Sequence, residues 1–135
     1  GITQMRKVLE VNPNHAQALN YIGYTFAEKG INLDEAEGLI QRALELKPND
    51  GYITDSLGWV YFKKGAMEKA VVELEKAHRL APDDPIIAEH LGDAYAHSKL
   101  FGKAIEMYER ANKLDPKKSE LKEKIKKLQK EKKRE

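Results

Sequence analysis

Cysteine is absent from this 135-residue chain, which removes disulfides and thiolate metal sites from consideration. Long apolar runs are absent too. None approaches the roughly 18 residues needed to span a bilayer, and no signal-peptide pattern opens the chain. Catalytic patterns are equally scarce: Ser56 has no base beside it, and neither a phosphate-binding loop nor a nucleophile elbow occurs. Neither enzyme activity nor a cofactor is expected. Proline is rare, with five in the chain, but its placement is informative.

Pro13, Pro48, Pro82 and Pro116 are separated by 35, 34 and 34 residues, and the stretches between them match position for position. Gly23, Gly58 and Gly92 recur at 35 and 34, and two alanine columns, Ala36/Ala70/Ala104 and Ala43/Ala77/Ala111, recur at 34. A period near 34 with small residues at fixed places marks a stacked helical-hairpin repeat. Such solenoids usually present a surface to a partner instead of enclosing a reactive pocket. Within the second period, Leu57, Val60 and Tyr61 recur at helical spacing, and so do Val71, Leu74 and Ala77. This predicts helices from about Gly51 to Lys64 and from Met67 to Leu80. Gly58 and Ala70 fall where the two helices must approach closely. Asn14, Asn49 and Asp83 are expected to cap each first helix, and Gly30 and Gly65 to end those of the first two periods in the left-handed conformation.

These columns resemble the tetratricopeptide repeat (TPR) family, whose pattern places a large apolar residue, Leu-Gly, Tyr, Ala, a second large residue, Ala and Pro. The second repeat reads Thr54, Leu57-Gly58, Tyr61, Ala70, Leu74, Ala77, Pro82. The third reads Ala88, Leu91-Gly92, Tyr95, Ala104, Tyr108, Ala111, Pro116. The first reads Leu19, Ile22-Gly23, Phe26, Ala36, Ile40, Ala43, Pro48, with one extra residue after Gly30. Lys99 stands where a glycine is usual. The resemblance implies an all-α, right-handed superhelical solenoid of antiparallel helix pairs. Repeats are expected over 14–48, 49–82 and 83–116, preceded over 2–12 by the second helix of a truncated repeat. The chain thus reads as a segment of a longer array. Residues 117–135 are expected to form a capping helix, with Leu121, Ile125 and Leu128 as its single apolar stripe.

The formal charge of +2 hides an asymmetry. Residues 117–135 carry a net +6 and the remainder a net −4. Because the lysines of the tail interleave with glutamates and no aromatic is present to stack on a base, a solvated cap is the expectation and nucleic-acid binding is disfavoured.

In the resembling family, partners usually lie on the concave face, lined by the first helix of each repeat. Counting from the packing positions, that face offers Asn20, Tyr21 and Tyr24, then Tyr52, Asp55, Trp59 and Phe62, then Glu89, His90, Asp93 and His97. Tyr21, Tyr24, Trp59 and Phe62 read as surplus to the core, and surplus aromatics suit a partner; the alternative is that Trp59 and Phe62 pack on the neighbouring helix and are only partly exposed. Family members that clamp a terminal carboxylate use Lys, Arg and Asn on these positions. Here Asn20, Tyr24, Ser56, Ile86 and His90 occupy them, so no such basic clamp is expected. An acidic-aromatic groove for a peptide or helical segment carrying basic and apolar residues is expected instead.

His90, Asp93 and His97 share a helical face, but His90 and His97 lie about 10 Å apart along the helix, too far for easy shared metal ligation. No metal site is assigned. The alternative to an adaptor is self-assembly into homo-oligomers through the terminal helices, with Ile2, Met5 and Leu9 of residues 2–12 forming an apolar patch. The phrases around Gly23 and Gly58 resemble segments of bacterial multi-repeat proteins, which suggests an envelope-associated or cytoplasmic setting.

Overall fold

A computed structural model describes residues 1–135 and contains eight α-helices. They are α1 (Ile2–Val11), α2 (Ala16–Lys29), α3 (Leu33–Leu46), α4 (Gly51–Lys64), α5 (Met67–Leu80), α6 (Pro85–His97), α7 (Phe101–Leu114) and α8 (Ser119–Lys133). Consecutive helices pair as hairpins α2–α3, α4–α5 and α6–α7, while α2 also packs on α4 and α4 on α6. The result is an all-α solenoid of repeats. The even-numbered helices form one layer and the odd-numbered helices the other.

Why the hairpins close so tightly is visible at three glycines. A β-carbon on Gly23 would lie 2.5 Å from Ile40 Cγ1, on Gly58 2.6 Å from Leu74 Cγ, and on Gly92 2.6 Å from Tyr108 Cε1. In each repeat the large side chain of the second helix lies in the space that glycine leaves. The alanine columns work from the other side: Ala36, Ala70 and Ala104 are fully buried, as are Ala43, Ala77 and Ala111.

Helix ends follow local chemistry. Gly30 and Gly65 adopt φ of 68° and 81°, closing α2 and α4 in the left-handed conformation. Lys99 takes the equivalent role at φ 60° without being glycine. The extra residue of the first repeat is absorbed between α2 and α3, where Asn32 also sits at positive φ. The caps, however, lie one residue later than expected. His15, Asp50 and Asp84 accept the free N–H groups of Ala18, of Tyr52 and Ile53, and of Ile87, in place of Asn14, Asn49 and Asp83. The turn after each proline takes one more residue before the helix begins, and Asn14 spends its N–H on Asn12.

The ends of the chain are covered differently. Ile2, Met5 and Leu9 are partly buried and pack against the core of the first repeat, so the apolar patch expected of them is only partly open. Of the apolar residues in α1, Val11 is the one that stands out, 89% exposed. At the other end Leu121 and Leu128 are buried and Ile125 packs beside them against the last hairpin.

Gly58→Leu should push α4 and α5 apart, because even its β-carbon collides with Leu74. Overpacking of this kind costs about 1–3 kcal/mol, and nearest-neighbour coupling should lower melting of the whole array. Thermal unfolding followed by circular dichroism checks this; an unchanged midpoint would remove the close-approach assignment.

Candidate functional site

The even-numbered helices turn one face away from their hairpin partners, and aromatic rings run across it. Trp59 of α4 stacks with Phe62 (centroids 4.5 Å apart, planes within 6°) and with His90 of α6 (3.9 Å, 15°). His97 meets Phe62 edge-on at 4.8 Å, and Tyr24 of α2 lies 6.4 Å from His90. The column therefore joins three repeats. Trp59 is 7% exposed and belongs to the core of the first two repeats. Its reading as a surplus groove aromatic is thus corrected: a side chain from the next repeat stacks on it and withdraws it from solvent. Tyr24 and Phe62 remain half-buried, whereas Tyr21 and Tyr52 are largely exposed.

The carboxylates expected to make this face acidic are spoken for. Asp55 is buried and accepts from His90 Nδ1 at 2.9 and 3.2 Å. Glu89, also buried, accepts from Lys118 and Lys124, and Asp93 from Lys124 at 2.9 Å and from the Tyr108 hydroxyl. Glu28 accepts from the Trp59 indole at 3.2 Å. A carboxylate withdrawn from water must find such partners or lose its charge. The groove is corrected accordingly: Asp55, Glu89 and Asp93 are paired internally, while the exposed Glu28 accepts from a neutral N–H.

Protonation states follow the same contacts. Burial would lower the His90 pKa, but the bond to Asp55 and the negative charges of Asp55, Asp93 and Glu28 raise it above its ordinary value. Burial works against ionised Glu89, yet Lys118 and Lys124 hold its pKa below the usual carboxylate range. Lys124 is held above its own usual range by Glu89 and Asp93 despite partial burial. Burial, and then Asp93, keep the Tyr108 phenol protonated.

Two openings flank the aromatic column. Between α6, α7 and α8 lies a pocket of about 430 Å³ with Phe62, Phe101 and Leu128 in its lining and Lys99, Lys124 and Lys127 among them. Between α2 and α4 lies a trough of about 330 Å³ lined by Tyr21, Tyr24 and Tyr52 with Asn20, Gln17 and Ile53. Asn20, Tyr21, Tyr24 and Tyr52 thus meet at one opening, and Phe62, Asp93 and His97 at the other. Trp59, Asp55, Glu89 and His90 lie buried between them. The lysines of α8 were missed as part of this face because composition alone reads them as a solvated run. The repeat register did carry the signal: Lys124 and Lys127 stand 34 residues beyond His90 and Asp93.

Stacked hairpins with one open, aromatic-lined face define a helical solenoid that presents a surface, not an enclosed reaction centre. The chain belongs to the tetratricopeptide repeat family, whose profile matches residues 1–51, 32–85 and 57–119. It is similar to a TPR repeat-containing protein of Pseudomonas aeruginosa, 39% identical over 66 residues, a match covering 49% of this chain and 11% of that protein. This chain therefore corresponds to a small part of that relative's length. In fold it is similar to MamA (TM-score 0.82, 24% identity, 97% of this chain and 76% of that one). It is also similar to the first TPR of Spaghetti (RPAP3) bound to the HSP90 peptide SRMEEVD (TM-score 0.79, 20% identity, 85% and 90% covered). The NMR structure of the first TPR domain of human RPAP3 gives a TM-score of 0.80 at 20% identity, with 88% and 93% covered.

A raised His90 pKa means that the folded chain holds the imidazole proton more tightly than the unfolded chain. That contribution to stability is fully present below the ordinary value of 6.5 and is lost as pH rises through the higher folded value. Thermal midpoints measured from acidic to alkaline pH should therefore fall less steeply in His90→Gln than in the parent. His78, whose pKa burial and Arg110 lower, titrates in the opposite sense in both proteins, so the difference isolates His90. Equal slopes would show that the Asp55–His90 pair does not select the charged imidazole.

Lys124→Ala should leave Glu89 and Asp93 short of a cation and loosen α8. The expected cost is about 1–2 kcal/mol, below the range for fully buried pairs because the lysine side chain is 36% exposed. Denaturant unfolding and amide exchange across residues 119–133 read this directly; unaltered protection there would assign α8 docking to Leu121, Ile125 and Leu128 alone.

Proposed function

We propose that this chain is a protein-interaction scaffold that holds a segment of a partner protein along the face formed by α2, α4 and α6. The observation that carries this reading is the aromatic column crossing three repeats and opening into pockets at both ends. The accessible rings are those at the openings, Tyr21, Tyr24 and Tyr52 at one and Phe62 and Phe101 at the other, and they provide apolar contact area at small entropic cost. Because Trp59 is pinned by His90 and Phe62, and Asp55 by His90, the face is already ordered before any ligand arrives. The family fold and a solved relative bound to an HSP90 peptide support peptide binding in general terms.

Internal pairing changes the ligand this face would prefer. Basic side chains of a partner find Asp55, Glu89 and Asp93 already bonded. Anchoring falls instead to apolar contact at the two openings, with Lys99 and Lys127 at the α8 end.

A partner captured with the whole array and mapped to its bound segment tests the reading. Phe62→Ala should weaken that segment by about 2 kcal/mol or more, the scale of an interface hot spot, mainly through faster dissociation. The variant must keep the parent's helical signal. Parental affinity, with the segment cross-linked to α3, α5 or α7, would place binding on the other face.

A further inference from the structure

The trough between α2 and α4 differs in kind from the rest of the face, and its chemistry narrows what can lie in it. Three tyrosines converge there, Tyr21 and Tyr24 three residues apart on α2 and Tyr52 at the start of α4. Tyr52 is 61% exposed and Tyr21 43% exposed. Exposed rings gathered at one opening form a patch that a partner can cover. Both present a flat apolar surface together with a hydroxyl that can donate.

The lining carries no cation. It contains no Lys, Arg or Glu, and its one carboxylate, Asp50, caps α4, its Oδ1 accepting from the N–H groups of Tyr52 and Ile53 at 2.9 and 3.1 Å. Thr25 is also committed, its hydroxyl donating to the Tyr21 carbonyl at 2.7 Å. What the trough offers beside its rings is donors, the hydroxyls of Tyr21 and Tyr52 and the side-chain amide of Gln17, the Tyr24 hydroxyl being engaged by Glu28. Asn20 also lines it, its Oδ1 buried without a hydrogen-bond partner.

A ligand matched to aromatic faces and free hydroxyl donors, beside a carboxylate and no cation, is apolar, not anionic and rich in unpaired acceptors. A helical segment fails, because its backbone carbonyls are already bonded within the helix. A strand fails as well, since the trough has no sheet edge to pair with it. A polyproline II segment fits on each count. Its backbone makes no internal hydrogen bonds, its carbonyls face outward, and its pyrrolidine rings pack against aromatic faces. Its rigidity also means that little entropy is lost on docking.

We propose that the Tyr21/Tyr24/Tyr52 trough binds a proline-rich segment of the partner in the polyproline II conformation. The assignment rests on the scaffold reading above and specifies the partner chemistry at one end of the face. The remainder of the partner continues toward Phe62 and the pocket beside α8.

The probe is an acetylated and amidated ten-residue polyproline peptide titrated into the full chain and followed by backbone amide NMR shifts. Saturable shifts confined to the start of α4 and the exposed side of α2 are expected. Binding should change less than twofold when salt is raised to about 0.5 M, since no charge pair forms. Tyr21→Ala and Tyr52→Ala should each weaken it roughly tenfold with the thermal midpoint kept, because both side chains are exposed. Lys127→Ala, at the opposite opening, should bind like the parent. A flexible Gly/Ser peptide of equal length and a helical Ala-rich peptide should not saturate.

The proposal is overturned by the absence of saturable shifts at millimolar peptide, by equal binding of either control peptide, by shifts at the α8 pocket, or by tyrosine variants that bind normally. If polyproline fails while Phe62→Ala still releases the captured partner, the proline-rich assignment falls and the scaffold reading stands. If polyproline binds as stated while Phe62→Ala leaves the partner bound, the trough survives and the continuous inner-face reading falls.

Discussion

Each hairpin is held closed by a large side chain lying where a neighbouring β-carbon would otherwise be. Ile40, Leu74 and Tyr108 occupy the space above Gly23, Gly58 and Gly92. This contact sets the separation of the two layers, and through it the position of every residue on the inner face. The occupant differs between repeats, which has consequences. Ile40 and Leu74 contribute packing alone, whereas Tyr108 fills the same space and also carries its hydroxyl to Asp93 on the inner face.

A second regularity runs between repeats. Acceptors on one repeat receive donors from the next: Glu28 from Trp59, Asp55 from His90, Glu89 and Asp93 from the lysines of α8. Outside this face, Lys64 reaches back to Asp34 and Glu37 in the same direction. Nearest-neighbour coupling in a solenoid is usually pictured as apolar burial. Here polar groups on the buried side of the face add to it, and each is satisfied only if its neighbour is folded.

The same pairings bear on the proposed scaffold role. Neutralising the central carboxylates internally leaves a stiff, largely apolar middle and confines adaptable chemistry to the ends. One end is a tyrosine trough without a cation and the other mixes Phe62, Phe101 and Leu128 with lysines. A partner segment would therefore be read by two chemically distinct openings held a fixed distance apart, an arrangement that discriminates by composition along the segment instead of by net charge.

Sequence by itself determined the architecture. The 34-residue period, the Leu-Gly and alanine columns and the glycine stops specify helices, hairpins and their order, because these depend on local periodicity and on contacts that recur at one fixed separation. Even the spans Gly51–Lys64 and Met67–Leu80 were legible. Tertiary structure decided the character of the inner face. Trp59 lost its exposure to His90, and Asp55 its free charge to the same ring. Lysines of a helix that reads as a solvated cap became partners for Glu89 and Asp93. Ile2, Met5 and Leu9 of α1 turned inward onto the first repeat. The reason is common to all four. Whether a side chain is spare or engaged depends on which residue of the next helix reaches it, and that is set by the stacking of repeats, about which the pattern within one repeat carries no information.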